Sequence, residues 1–319
     1  MLKELKFVQG AVAKKDFEPT LTHFHIKNNS IKGTNGSLTL CAPVPLDIEV
    51  KPKAIPFVKA IQACKSEVMQ LSVTPTGRLS IKAGKFKALI ECTDQPFPDI
   101  EPEGDWVSLE GIPILPALKT LLTYTGEDAS RKWSQGVLLR GNKAFATNNI
   151  ILMEYDLGVN FPVELNVPKK AIAELLRIGA EPLGMKVTET SVTFMYGQNH
   201  WVRTQLYDLG WPDLENLLSR ETEYTTLQDE WFDSIETLAP FVDDFQRIIM
   251  SEGMVSTRQS DEAGASVEIE GFNGSGVYNY KYFMSLRGVI SHIDFSSYPM
   301  PCLMKGDKIR GVLMGMRLT

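Results

Sequence analysis

GWPDLENLL (residues 210–218) repeats the pattern of an earlier stretch, PFPDIEP (96–102): an aromatic residue, then proline, aspartate and a branched aliphatic residue, with further acid behind. Pro98 and Pro212 stand 114 residues apart, about the length of a small domain. That spacing points to a duplicated domain rather than a solenoid unit, and a duplicated domain should repeat its order of elements as well as one turn.

The residues upstream do repeat. KFKALIECT (85–93) and NHWVRTQLYD (199–208) both alternate like half-buried strands, and each runs into its Pro-Asp corner. Before them, AIPFVKAIQACK (54–65) and PKKAIAELLRIG (168–179) space their apolar residues at helical intervals and begin at or near a proline, which suits a helix start. Between helix and corner lie two hairpins, MQLSVTPTGRLSIKAG and MKVTETSVTFMYG. An opening helix stands ahead of each, LKELKFVQGAVAKK (2–15) and IPILPALKTLLTY (112–124).

The remainder fits the same plan. FDSIETLAPFVDDF (232–245) reads as a third opening helix, NYKYFMSLRGVIS (279–291) as its partner, and SVEIEGF and GVLMGMRL as strands. The sequence therefore predicts an α+β chain of three repeated domains, at 1–104, 105–222 and 223–319.

Composition agrees, with 43% hydrophobic residues in 319. No stretch approaches the roughly 18 apolar residues that mark a membrane span, and the amphipathic N-terminus has no cleavage site behind it, so a cytosolic protein is expected. Cys41, Cys64, Cys92 and Cys302 are scattered without CxxC spacing and read as reduced core thiols. His23 and His25 alternate on one strand face but have no third ligand of suitable type nearby. There is no GxGxxG, P-loop, nucleophile elbow or HExxH. The expectation is a protein that is not an enzyme and holds no cofactor or metal.

Charge placement says more. Residues 51–65 hold four lysines and no acid; with 2–15, 168–179 and 279–291 they carry +11 in a chain of net charge −6, leaving −17 for the rest. Lysine on a solvated helix face is ordinary. The same sign on equivalent helices of three repeats would track a phosphate backbone without reading bases. Helix 232–245 breaks the pattern with Glu236, Asp243 and Asp244.

The C-terminus GDKIRGVLMGMRL, the AFATNNIILMEYD segment, the PKKAIAELLR helix and the WPDLENLL corner together resemble the bacterial-type DNA polymerase sliding clamp, the β subunit of the replicative polymerase. The resemblance runs over essentially the whole chain in order. It implies helices lining a central channel, sheets outside, and a ring closed by a head-to-tail homodimer that encircles double-stranded DNA without regard to sequence. Lys14, Lys15, Lys59, Lys169, Lys170, Arg177, Lys281 and Arg287 would then face the channel. Ile249 and Met250 resemble the apolar pair at the subunit boundary and are expected to be exposed on a lone subunit.

By the same resemblance, DNA polymerase and clamp loader would bind through short linear peptides in an apolar pocket between domains 2 and 3. Carried over by position, its residues are Trp133, Thr147, Asn149, Ile151, Leu152, Pro212, Asn216, Leu217, Val312, Met314, Gly315, Met316 and Arg317. Asn148, Asn149 and Ile150 stand where the family has Asp-Gly-His/Arg, Gly315 replaces its usual proline, and Thr319 extends the tail by one residue. Gly315 predicts a less constrained, mobile tail. The shorter chain suggests a reduced or phage-encoded member, acting in the bacterial cytoplasm. A non-catalytic αβ-repeat structural or adaptor protein of a phage is the alternative.

Overall fold

Strand Leu38–Pro43 is hydrogen-bonded antiparallel to strand His200–Gln205, and strand Ile151–Asp156 to strand Ile309–Leu313, so each sheet joins stretches of chain more than a hundred residues apart. The computed structural model describes residues 1–66, 68–207, 210–213, 215–259 and 263–317; Leu214 of the second corner and Leu318 and Thr319 of the tail lie outside the described residues. The chain divides into two compact units, 1–115 with 170–206, and 116–169 with 207–319.

In the first unit a seven-stranded sheet runs His25–Lys27, Ser30–Thr34, Leu38–Pro43, His200–Gln205, Ser191–Gly197, Gly184–Val187, Asp105–Ser108, beside a three-stranded sheet of Gln70–Val73, Leu79–Ala83 and Phe86–Ile90. Helices Leu2–Gln9 and Ala54–Ala63 bury Leu5, Phe7 and Val8, and Phe57, Val58 and Ile61. Helix Lys169–Ile178 buries Ala171, Ile172 and Leu175.

The second unit is built alike. Its eight-stranded sheet runs Leu165–Pro168, Gly136–Arg140, Lys143–Thr147, Ile151–Asp156, Ile309–Leu313, Cys302–Lys305, His292–Ile293, Thr225–Thr226. A four-stranded sheet of Ser266–Glu268, Met254–Ser256, Arg247–Ser251 and Gly276–Asn279 accompanies it. Helices Asp229–Glu236 and Tyr280–Met284 meet through stacked Phe232 and Phe283 rings, 5.5 Å apart.

The duplication extends to hydrogen bonds. Thr34 and Thr147 each donate a hydroxyl to the carbonyl four residues on, Leu38 and Ile151. Asn35 and Asn148 each accept two backbone N–H groups with Oδ1, and a left-handed residue follows, Gly36 or Asn149. The register then pairs Thr34 with Thr39 and Thr39 with Arg203 in one sheet, Thr147 with Leu152 and Leu152 with Val312 in the other.

The helix expected at 112–124 spans Leu115–Leu121 and tightens into a 3-10 turn over Leu122–Tyr124, and three others end well short of the predicted span, each for a local reason. The first ends at Gln9 rather than 15: Gly10, a poor helix residue, follows, and the buried Glu174 carboxylate fills the space beside its Cα. Lys14 and Lys15 thus stand exposed on a loop. The helix expected at 232–245 spans Asp229–Glu236, because Pro240 has no N–H to donate and its ring crowds the carbonyl four residues back, that of Glu236. The one expected at 279–291 spans Tyr280–Met284 and unwinds through tighter bonds, Leu286 N–H to Phe283 and Arg287 N–H to Met284, toward left-handed Gly288. Arg287 lies past its end.

Gly311 sits opposite Met153 in the second sheet, where an added Cβ would press into the Leu152 carbonyl oxygen and lie 2.8 Å from Met153 Sδ. Strand propensity alone favours alanine over glycine. The expected outcome for Gly311→Ala is the reverse, a loss of about 1–3 kcal/mol from overpacking, measured by urea unfolding.

Candidate functional site

The second unit packs an apolar cluster beneath the second Pro-Asp corner. It comprises buried Leu138, Phe145, Leu152, Leu303 and Val312 together with Trp211 and Leu218 of the corner. Trp133 packs against the cluster, its ring 5.1 Å from that of Trp211 and nearly perpendicular to it. The indole N–H of Trp211 is buried with no hydrogen-bond partner among the described residues. Arg310 anchors the corner: it grips Glu154 through two bonds of 2.8 and 3.0 Å and donates to the Leu218 carbonyl. Lys143 completes the pairing of the buried Glu154 at 3.3 Å.

The residues placed in this pocket by resemblance fall into distinct groups. Leu152 and Val312 are buried in the cluster, and Thr147 is buried as well. Ile151 is also buried, but successive strand residues face opposite sides, so it lies on the far face from Leu152. Pro212, Asn216, Arg317, Leu217 (42% exposed) and Met314 (39%) are exposed, with Trp133, Gly315 and Met316 half-buried. Asn149 is exposed and accepts a hydrogen bond from Arg131 at 2.8 Å. Trp211, Leu218, Phe145, Leu138 and Leu303 belong to the cluster and were not singled out from the sequence, although Trp211 was the aromatic residue of the quoted corner.

The tail differs from expectation. Met314 N–H donates to the Ile150 carbonyl at 2.8 Å, Met316 N–H to the Val277 carbonyl at 2.7 Å, and the Tyr298 hydroxyl to the Met316 carbonyl at 2.8 Å. Gly315 lies against the Tyr298 ring, where a Cβ would come within 2.6 Å of Cδ2. Residues 314–316 are held from both sides, and glycine is there because the ring leaves no room.

The first unit has the same joint with different side chains. Thr39 and Arg203 replace Leu152 and Val312 in register. Arg203 pairs with Glu103 at 2.8 Å and donates to the Glu101 carbonyl; Lys32 holds Glu101 and the Ile100 carbonyl; Lys51 holds the carbonyls of Asp94 and Gln95. The first corner is thus strapped down by cations, and the cavities of about 490 and 210 Å³ beside it are lined by charged groups such as Lys32, Lys51, Glu101 and Arg203.

Of the eight cations expected to face DNA, Lys59, Lys170 and Lys281 are exposed on helices, with no ion pair among the described residues. Three others are already paired: Lys169 with Glu127 at 2.7 Å, Arg177 with Glu174, and Arg287 with Asp233 at 2.6 Å and Glu236 at 3.6 Å. The expected exposed pair Ile249 and Met250 is corrected. Strand alternation turns Met250 inward with Ile248, leaving it 3% exposed, while Ile249 is half-buried on the other face. The exposed apolar residues nearby are Phe241 and Phe245, the latter under the Arg247 guanidinium.

The four cysteines are free thiols; burial pushes Cys41 up to about 12 and raises Cys302. His23 is bound through Nδ1 to the Pro19 carbonyl at 2.6 Å, and His25 stands 3.8 Å from Glu49. Among the described residues no three of His, Cys, Asp and Glu are grouped to hold a metal, and no helix is long and apolar enough to cross a membrane.

No family model and no curated protein matches the chain by sequence. Solved structures do match by fold. The DNA polymerase sliding clamp from Caulobacter crescentus superposes with a TM-score of 0.83 at 18% identity, covering 99% of this chain and 97% of that one. The DNA polymerase III subunit beta from Pseudomonas aeruginosa gives 0.80 at 21%, with 99% and 97% covered. The sliding clamp from Bacillus subtilis gives 0.80 at 16%, with 100% and 97% covered. The chain has the sliding-clamp fold, an α+β architecture, from end to end.

Buried and exposed positions should separate energetically. Leu152→Ala and Val312→Ala are each expected to cost about 2–4 kcal/mol of stability through the cavities they leave, whereas Leu217→Ala and Met314→Ala should cost less than about 1 kcal/mol. Equilibrium unfolding of the four variants checks this.

Proposed function

We propose that this chain is the subunit of a DNA sliding clamp, a non-catalytic processivity factor that encircles duplex DNA and tethers a DNA polymerase. The observation that carries the reading is the extent of the fold likeness: it spans 99–100% of this chain and 97% of each clamp compared. In this reading the three repeats at 1–104, 105–222 and 223–319 form half of a ring closed by a second copy, and the chain works in the cytoplasm on replicating DNA. Ile249 and the neighbouring Phe245 are the apolar residues of the third repeat offered to that second copy.

Lys59, Lys170 and Lys281, joined by Lys14 and Lys15 on their loop, supply the unpaired positive charge toward the phosphate backbone. Contacts of this kind are independent of sequence and weaken with salt, which suits a ring that must slide. The protein should remain on closed circular DNA and run off once the circle is cut. Reversing the charge of Lys59, Lys170 and Lys281 together should shorten retention and reduce the slope of log affinity against log salt by up to about 3 per subunit. Equal retention on circular and linear DNA would favour the adaptor reading instead.

The surface at the apolar cluster of the second unit is the site for short peptides of the polymerase and of the clamp loader, which compete for it. Apolar anchors seat against the cluster between Leu217 and Met314, and the unpaired Trp211 N–H offers one hydrogen bond to the incoming chain. For Met314→Ala with Met316→Ala, ring formation should persist, while binding of the cognate polymerase weakens by about 1–4 kcal/mol for each anchor lost. Calorimetric titration with the polymerase's clamp-binding peptide measures this, and full-strength binding would move the partner site elsewhere.

A further inference from the structure

The first unit holds a pocket of about 840 Å³ that no part of the clamp reading uses. It opens where helix Leu2–Gln9 meets the end of helix Lys169–Ile178, a junction tied by Arg177 donating to the Phe7 carbonyl at 2.7 Å. Phe7, Ile178 and Pro43 supply apolar wall, and Leu183, 60% exposed, stands at the mouth. A pocket of this size with few polar groups is the usual form of a small-molecule site.

Two side chains in its lining have unmet hydrogen-bonding capacity. The Tyr196 hydroxyl and His200 Nε2 are buried, and neither has a partner among the described residues. Their rings are fixed against Phe7, with centroids 6.0 and 4.2 Å away. Burial lowers the His200 pKa and raises that of Tyr196, so both groups are neutral near pH 7. Buried polar groups are nearly always paired, and two orphans beside one pocket ask for a ligand atom.

The charge around the pocket has a sign. Arg177 is engaged by Glu174 and Glu4 by the N-terminal amine at 2.8 Å. Glu181 keeps its single negative charge, its carboxylate turned to the backbone N–H groups of Ile114 and Leu115, against the two charges of Lys3 and Lys6. Lys3 and Lys6 are exposed and have no ion pair among the described residues. We propose that this pocket binds a small amphipathic acid, a molecule with an aromatic or branched apolar body and one acidic head. The body lies against Phe7 and Leu183, the head meets Lys3 and Lys6, and a polar atom on the body pairs with Tyr196 or His200.

The test uses the full-length protein and 1-anilinonaphthalene-8-sulfonate, an aromatic acid of this class. The chain has four histidines, so ¹⁵N-histidine spectra are sparse, and His200→Gln identifies the His200 ring signals. The probe should shift those signals saturably. Lys3→Glu with Lys6→Glu, and separately Leu183→Glu, should weaken that binding about tenfold or more. Met314→Ala in the other unit should leave it unchanged. The substituted residues are exposed, and unchanged melting temperatures establish that the variants fold. His200 signals that stay put as the probe is raised to saturation of its solubility, or that shift with wild-type affinity in the charge-reversed variant, would overturn the proposal.

Discussion

The backbone pairing of strand Ile151–Asp156 with strand Ile309–Leu313 is the constraint on which the second unit depends. Five residue pairs in antiparallel register bring the end of the chain against a hairpin more than 150 residues earlier. The apolar cluster depends on it: Leu152 and Val312 become neighbours there, and Arg310 lands beside Glu154 and reaches the Leu218 carbonyl. Backbone hydrogen bonds of this kind contribute modestly one by one, but they set register, and a slip of one residue would put Leu313 where Val312 belongs.

The first unit has the same pairing, between Leu38–Pro43 and His200–Gln205, and reaches a different outcome through two side chains. With threonine and arginine at the positions of Leu152 and Val312, the joint attracts the acidic segment that follows it instead of leaving an apolar surface. Partly exposed ion pairs such as Arg203 with Glu103 contribute little each. Here they act together with lysine bonds to backbone carbonyls along 94–103, so the whole segment is held. One duplicated scaffold thus carries a charged joint in the first unit and an apolar one in the second, set by the residues paired in register.

What was legible in the sequence was local. The Pro-Asp corner acts on residues within a few positions, and its repetition pointed to the duplication before any contact was known; the repeated Thr-Asn turn was equally local and was missed. Helix ends at Gly10 and Pro240 were equally local signals that a long apolar period concealed. The reading of Ile249 and Met250 as an exposed pair failed because adjacent strand residues face opposite sides, and the same rule removes Ile151 from the cluster. The ion pairs of Arg177 and Arg287 depend on which carboxylates folding brings near. Arg287 meets Asp233 across more than fifty residues, and nothing in either stretch announces the other.

The tail shows how such a long-range contact reverses an argument made from residue type. Glycine at 315 suggests freedom, since it restricts the backbone least. Folded, it is the residue that lets the chain pass flat against the Tyr298 ring, and that passage allows Met314 and Met316 to reach the Ile150 and Val277 carbonyls. The backbone of 314–316 is therefore held by hydrogen bonds within the chain itself, so under the proposed reading its ordering entropy is not charged against binding. Adaptability has to come from the side chains instead: Met314, unbranched, polarisable and well exposed, can change rotamer on a fixed strand. In the peptide-binding reading proposed above, a fixed backbone with a pliable side chain suits several peptides of similar apolar character, while Leu152 and Val312 keep their positions for all of them.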